Sequence, residues 1–83
     1  MNQAIQFPDR EWWEESTGSV CFPALVNGFQ LTCAISGETI VRRYGNKQTV
    51  MASFLLHRWD IEEEAEAAIK AAGADDQGWV WLS

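Results

Sequence analysis

The chain has 83 residues, a formal net charge of −6, 47% hydrophobic residues and five tryptophans. This length allows one domain over residues 1–83, and the aromatic content excludes intrinsic disorder, which requires low hydrophobicity. Nucleic-acid-binding modules carry basic patches and membrane spans need about 18–20 consecutive apolar residues, so we expect neither a nucleic-acid nor a membrane partner.

The N-terminal segment predicts a short strand followed by an irregular stretch. Ile5 and Phe7 alternate with polar residues before a proline, which is typical of an edge strand. Residues 9–18 are polar apart from two adjacent tryptophans, and either a loop or a single helical turn capped by Asp9 fits them. Residues 1–7 lack the basic and apolar regions of a signal peptide, so we expect a cytoplasmic protein with reduced cysteines.

The strongest pattern in the chain is a β-hairpin over residues 20–35, centred on Asn27-Gly28. Asn-Gly between apolar runs is typical of a type I′ turn, because both central residues need a positive φ. A two-residue loop sets the register of the two strands. The pairs on the apolar face are Val26 with Phe29, Ala24 with Leu31, Phe22 with Cys33, and Val20 with Ile35. The opposite face is mixed, and we expect it to be half solvated.

This register has consequences for three residues. Cys21 and Cys33 fall on opposite faces of the hairpin, so we expect no disulfide between them. Pro23 falls at a pair without hydrogen bonds, and its missing N–H group points away from the hairpin partner. We therefore expect this strand either to form an edge of the sheet or to be unpaired on that side near Pro23.

The second half of the chain predicts two helices and a strand. Ser36 is the expected N-cap of a short helix over residues 37–44, and a longer helix covers residues 47–72. Residues 79–82 form a final strand that is too short to be stable alone, so we expect it to join the sheet. Together these elements predict a two-layer α+β fold, in which a small, mainly antiparallel sheet packs against one short and one long helix.

The apolar pattern of the long helix contains one irregularity. Arg58 lies inside the apolar arc, whereas Leu55 lies at its margin and Leu56 and Trp59 lie outside it. One explanation is a break near Asp60, with Asp60 as a new N-cap and a glutamate three residues later completing a capping box. The other is a continuous helix in which the three apolar residues form a second stripe that packs elsewhere.

Arg58 itself has two interpretations. Its side chain either lies along the core with its head in water, or its guanidinium is the bidentate partner of a carboxylate in the protein or in a ligand.

Few residues suggest chemistry at a site. His57, Asp60 and Glu64 are spaced so that a helix would place them within an arc of about 60°, where they could hold a divalent metal. A solvated, ion-paired helix face explains the same spacing. The sequence has no glycine-rich phosphate loop, no nucleophile elbow and a single histidine. We therefore expect neither an enzyme nor a bound cofactor.

The tryptophans and the second apolar stripe are the more unusual features. Tryptophan is enriched at interface hot spots, although the aromatic residues could also cover a thin core. The candidate interaction residues are Leu55, Leu56, Trp59, Arg58, Trp12 and Trp13. We expect a non-enzymatic protein-interaction or accessory module whose partner is an unidentified protein or a second copy of this chain. The alternative is a small-molecule or metal-binding regulatory protein.

Several segments together resemble the YrdB-like family of small bacterial proteins, a domain-of-unknown-function family. The resemblance covers almost the full length and lies in residues 7–11, 22–28, 33–38, 57–60, 62–66 and 75–82. It implies a small cytosolic α+β domain. It brings no established activity, cofactor or catalytic residue to these positions.

Overall fold

The computed structural model describes residues 5–83, which form an α+β fold with five strands and three helices. The strands are β1 (Ile5–Gln6), β2 (Trp12–Glu14), β3 (Ser19–Val26), β4 (Phe29–Ser36) and β5 (Trp79–Leu82). The helices are α1 (Gly37–Tyr44), α2 (Val50–Leu56) and α3 (Arg58–Ala72). Residues 1–4 lie outside the described residues. They belong both to the domain predicted over residues 1–83 and to the segment 1–7, which lacks the features of a signal peptide.

The hairpin of β3 and β4 has the predicted register. All four predicted pairs on the apolar face are present, from Val26 with Phe29 to Val20 with Ile35. Asn27 and Gly28 both have positive φ angles, 53° and 85°, as a type I′ turn requires. Burial increases away from the turn. Phe29, next to the turn, is 75% exposed.

The sheet is mixed, which corrects the expectation of a mainly antiparallel sheet. The strand order is β1-β3-β4-β5, with β2 beside another part of β3. β5 pairs parallel to β4, whereas the other pairs are antiparallel. The chain between β4 and β5 contains all three helices and returns to the end of the sheet where β4 begins. Such a crossover makes the two strands parallel.

The outer side of β3 is paired at both ends and open in the middle. β1 pairs with Leu25 and Val26, and β2 pairs with residues 19–21, which leaves residues 22–24 without a strand partner on that side. This confirms the gap predicted at Pro23. The loop or helical turn expected over residues 9–18 is wrong for β2, because a three-residue strand is too short to show a periodic pattern.

The long helix predicted over residues 47–72 is divided into α2 and α3, and the break lies at His57 rather than at Asp60. His57 has φ −109° and ψ 19°, outside helical values, and provides no side-chain cap. Asp60 lies in the first turn of α3, where a carboxylate is favoured by the helix dipole. Thr49 caps α2 and Ser36 caps α1, each through its side-chain oxygen. No helix within residues 5–83 has the length and apolar character needed to cross a membrane.

The core contains side chains from the predicted apolar face of the hairpin, from β5 and from all three helices. Its buried members are Val20, Phe22, Ala24, Cys33, Ile35, Ile40, Phe54, Ile61, Ala65, Ile69, Val80 and Leu82. Tilted aromatic contacts join Phe22 to Phe7 and Phe54, with ring centroids 6.1 and 5.3 Å apart. The hairpin, the N-terminal segment and α2 therefore meet at Phe22.

The opposite face of the hairpin is more buried than expected. Cys21 and Ala34 are both fully buried, so half-solvation is wrong for this part of the face. The register places Trp12 beside Cys21 and Trp81 beside Ala34. Because residues paired in register share a face, two large rings flank two small side chains there. The sequence did not predict that Trp12 lies beside Cys21, because strand β2 was not predicted.

Strand β5 lies at one edge of the sheet, and Asp75 forms hydrogen bonds with the backbone groups of its first residue, Trp79. The backbone N–H of Trp79 donates to the Asp75 carboxylate at 2.9 Å, and the Trp79 carbonyl accepts from the Asp75 N–H at 2.8 Å. The Trp79 backbone donor is the main reason that the pKa of Asp75 is below its usual range. Satisfied backbone groups make an edge strand a poorer template for an added strand.

The two cysteines yield a direct test of this packing. Burial raises the pKa of Cys21 to about 11 and that of Cys33 to about 12, and neither thiol is in a disulfide. At pH 8 only about one Cys21 thiol in a thousand is then the reactive thiolate. We expect no reaction of the folded protein with Ellman's reagent within minutes, and two reacting thiols in guanidinium chloride. Rapid reaction of one thiol in the folded protein would contradict the buried second face.

Candidate functional site

Arg58 begins α3 and points into the protein. The residue is 9% exposed, which agrees with its predicted place inside the apolar arc. Its guanidinium carbon lies 6.0 Å from the ring centre of Phe22 and 5.5 Å from that of Phe54. At these distances an arginine is attracted by the aromatic rings. A cation in such a place must also be paired, because an isolated buried charge is very costly.

The Arg58 guanidinium makes four hydrogen bonds, all within the protein. Its Nε donates to Glu62 at 2.7 Å and its Nη1 to Glu11 at 2.5 Å. Its Nη2 donates to the carbonyl oxygens of Pro8 and Arg10, at 2.9 and 3.0 Å. Burial acts to lower the pKa of Arg58, but the bonds to Glu62 and Glu11 outweigh it and raise the pKa. The interpretation with the head in water is therefore wrong. The carboxylate partners belong to the protein, but Glu62 and Glu11 each accept one hydrogen bond, so the expected bidentate pair with a single carboxylate is not formed.

The geometry of the sheet explains why these carbonyl oxygens are available. β1 and β2 pair with separate parts of β3, so the chain between them, residues 7–11, leaves the sheet beside Pro23. Backbone groups that lose their strand partner need another one. Arg58 supplies it to two carbonyls, and so attaches the N-terminal segment to the start of α3.

Three large apolar side chains are exposed around the helix break. Leu55 is 48% exposed, Leu56 66% and Trp59 86%, and we call these three residues the helix-break patch. Helical residues are about 100° apart, so Trp59 lies about 200° from buried Ile61 and must face outward. The second apolar stripe predicted from the sequence is therefore exposed, although the helix is not continuous.

Trp59 separates two shallow cavities. One, of about 270 Å³, is lined by the patch together with His57, Arg58 and Asp60. The other, of about 330 Å³, is lined by Ile5, Phe7, Trp59, Glu62, Glu63 and Glu66. Each is large enough for one or two side chains of a partner. Because Ile5 and Phe7 belong to the N-terminal segment, the second cavity depends on the Arg58 hydrogen bonds.

The candidate metal ligands are not brought together. His57 stacks on Tyr44, with ring centroids 3.8 Å apart and planes at 7°. Glu64 accepts two hydrogen bonds from Arg43, at 2.7 and 2.9 Å, and Asp60 is exposed. Within the described part of the chain, no three histidine, cysteine or acidic side chains are grouped to hold a metal ion.

Trp12 and Trp13 do not belong to the helix-break patch. They are consecutive residues of β2 and therefore lie on opposite faces of the sheet. Trp12 is half-buried, while Trp13 is 42% exposed and has its ring against Gly37 at the start of α1. Of the six interaction candidates, the structure thus brings together Leu55, Leu56 and Trp59, with Arg58 beneath them.

The sequence did not reveal the N-terminal part of this site. Glu11 and the carbonyls of Pro8 and Arg10 lie 47 to 50 residues from Arg58 along the chain. The only available signal was indirect: an arginine inside an apolar arc requires carboxylates or carbonyls nearby. That requirement does not say which of the twelve acidic residues are involved.

Substitution of Arg58 tests how much its network contributes to the free energy of unfolding. Arg58→Met leaves two half-buried carboxylates and two carbonyls without their donor, so we expect a loss of about 3 kcal/mol. Arg43→Met is the matched control, because it removes a more exposed bidentate pair and should cost about 1 kcal/mol or less. Urea unfolding measures both. Equal losses in the two variants would show that Arg58 has no special structural role.

Comparison with known proteins agrees with the resemblance found in the sequence. The family model described as "Protein of unknown function (DUF1488)" matches residues 5–82. The uncharacterized protein YrdB of Escherichia coli (strain K12) is 63% identical over 84 residues, covering 99% of both chains. YrdB of Shigella flexneri is 62% identical with the same coverage. The crystal structure of a DUF1488-family protein of unknown function from Shewanella loihica has a TM-score of 0.89 and 28% identity, covering 99% of this chain and 94% of that chain. The chain therefore belongs to the DUF1488 family of proteins of unknown function.

Proposed function

We propose that this protein is a non-enzymatic interaction module that binds a protein partner through the helix-break patch. The observation that carries the proposal is the exposure of Leu55, Leu56 and Trp59 side by side, with Trp59 at 86%. Tryptophan and neighbouring apolar side chains are typical of the hot spots that dominate binding energy. The module acts in the cytoplasm, and its negative charge disfavours nucleic acid as a partner.

The rigidity of the surroundings supports this proposal. Side chains of all three helices enter the core, and Trp59 lies about 200° around α3 from buried Ile61, so the outer side of the helix break is left to the partner. Beneath that surface, Arg58 fixes the start of α3, and His57 stacks on Tyr44 at the end of α1. A surface that is already ordered loses less entropy on binding, so small patches can bind well.

The size of the patch also fits a binding surface. Three side chains exposed to this extent present roughly 400 Å² of apolar surface. Patches of that size on monomers are often functional. The alternative is a small-molecule or metal-binding regulatory protein. For its metal-binding form, His57, Asp60 and Glu64 do not converge, and no other three candidate ligands are grouped within residues 5–83.

Affinity capture with patch variants tests the proposal. Leu56→Asp and Trp59→Asp place a charge in the patch without touching the core, so the tagged variants should fold with unchanged melting temperature. We expect wild-type protein to capture a near-stoichiometric partner from a lysate of the cells that express it, and both variants to lose that partner. Purified partner should then bind wild type in isothermal titration calorimetry, with affinity reduced at least about tenfold by Leu56→Asp.

Phe29→Asp is the matched control for this experiment. Phe29 is 75% exposed at the tip of the hairpin, far along the chain from the helix break. Its substitution introduces the same charge at another exposed apolar residue. Retention of the partner by Phe29→Asp and loss by Leu56→Asp would support the patch. Retention by Leu56→Asp and Trp59→Asp would refute it.

A further inference from the structure

The helix-break patch is surrounded by an excess of negative charge. Acidic residues line both cavities beside Trp59 or pair with Arg58. These carboxylates are Asp9, Glu11, Asp60, Glu62, Glu63 and Glu66. Only Arg58 and Lys70 form ion pairs with them within residues 5–83. Exposed Arg10 lies between Asp9 and Glu11 in the chain. Six carboxylates against three cations leave three negative charges in excess, out of the −6 carried by the whole chain.

The exposed members of this set are the ones that a partner would meet. Asp60 and Glu63 are exposed and have no ion-pair partner within the described part of the chain. Glu66 pairs with Lys70 at 3.3 Å, but both side chains are about half exposed, so the pair is weak. Trp59 thus stands between carboxylates that are free to bind a cation.

A second copy of this chain is a poor occupant for such a surface. A two-fold contact through the patch would bring the same acidic rim against itself, and like charges facing each other at an interface cost several kcal/mol. The apolar area of roughly 400 Å² is also about half of the ~800 Å² that each partner contributes to a stable interface. Charge and area both favour a smaller, oppositely charged partner.

We propose that the helix-break patch binds a basic amphipathic helical segment of its protein partner, an assignment that rests on the function proposed above. Apolar side chains of the segment, spaced three and four residues apart, enter the cavities on either side of Trp59. Lysine or arginine side chains on its flanks reach Asp60, Glu63 and Glu66. Because arginine and lysine stems are apolar, they also pack on the Trp59 ring while their heads reach the carboxylates.

Two synthetic peptides test this assignment. The first is an amphipathic 18-residue helix of leucine and lysine, and the second has glutamate in place of every lysine. We expect the lysine peptide to bind in isothermal titration calorimetry. It should shift amide resonances of residues 5–7 and 55–66, which line the two cavities, in ¹H–¹⁵N spectra. Binding should weaken between 50 and 200 mM salt, because exposed charge pairs are screened. The glutamate peptide should not bind.

A matched pair of charge reversals distinguishes binding at the helix-break patch from general attraction between opposite charges. Glu63→Lys and Asp76→Lys change the net charge equally, but Asp76 is an exposed residue of the turn before β5. Glu63→Lys should weaken binding of the lysine peptide about tenfold, and Asp76→Lys by less than about twofold. Equal losses, or amide shifts that lie mainly outside residues 5–7 and 55–66, would overturn the assignment.

The outcomes distinguish this assignment from the function on which it rests. Equal binding of both peptides at the patch would refute a basic partner and leave an apolar docking surface. If neither peptide binds and wild type sediments as a dimer that Leu56→Asp dissociates, the occupant is a second copy. That result would also refute a basic partner, while the proposed interaction function would be retained. If neither peptide binds and the captured partner is retained by Leu56→Asp, both proposals fail.

Discussion

The hydrogen bonds of one buried cation, Arg58, hold the chain between β1 and β2 against the start of α3. Arg58 must be satisfied because its guanidinium lies beside the Phe22 and Phe54 rings, at the edge of the core. The partners come from two distant parts of the chain: Glu62 on the same helix, and residues 8–11 at the other end of the sequence. A single side chain thereby joins the helix break to the N-terminal segment. Both cavities beside Trp59 depend on this junction, because Arg58 lines one of them and the N-terminal segment lines the other.

Much of the central fold could be predicted from the sequence, because local chemistry and long-range pattern agree there. Asn27-Gly28 determines the turn, the turn determines the register, and the register correctly places Val20 and Phe22 in the core. The same register explains the unpaired stretch at Pro23. Helical periodicity placed Arg58 inside and Trp59 outside, and the helix caps follow known side-chain preferences.

The remaining features depend on contacts between distant residues, which no local pattern contains. β5 is parallel because the three helices form its crossover from β4, and β2 exists because β3 offers it an open edge. The break lies at His57, where stacking on Tyr44 adds a contact from another helix, rather than at the residue with the better cap sequence. For the candidate site, periodicity identified the helix-break patch, but the position of the cavity containing Ile5 and Phe7 follows from tertiary structure alone.

The helix-break patch is held in place by the hydrogen bonds of Arg58 to residues 8–11. The most direct test is therefore whether the N-terminal segment and the start of α3 open as one cooperative unit. Native-state hydrogen exchange, resolved by residue, measures the opening free energy of each protected amide. If Arg58 joins the two segments, Arg58→Met should lower protection in residues 8–14 and 55–61 together, while the β3–β4 hairpin keeps its relative protection. A loss confined to α3, with unchanged exchange in residues 8–14, would contradict a shared role for Arg58.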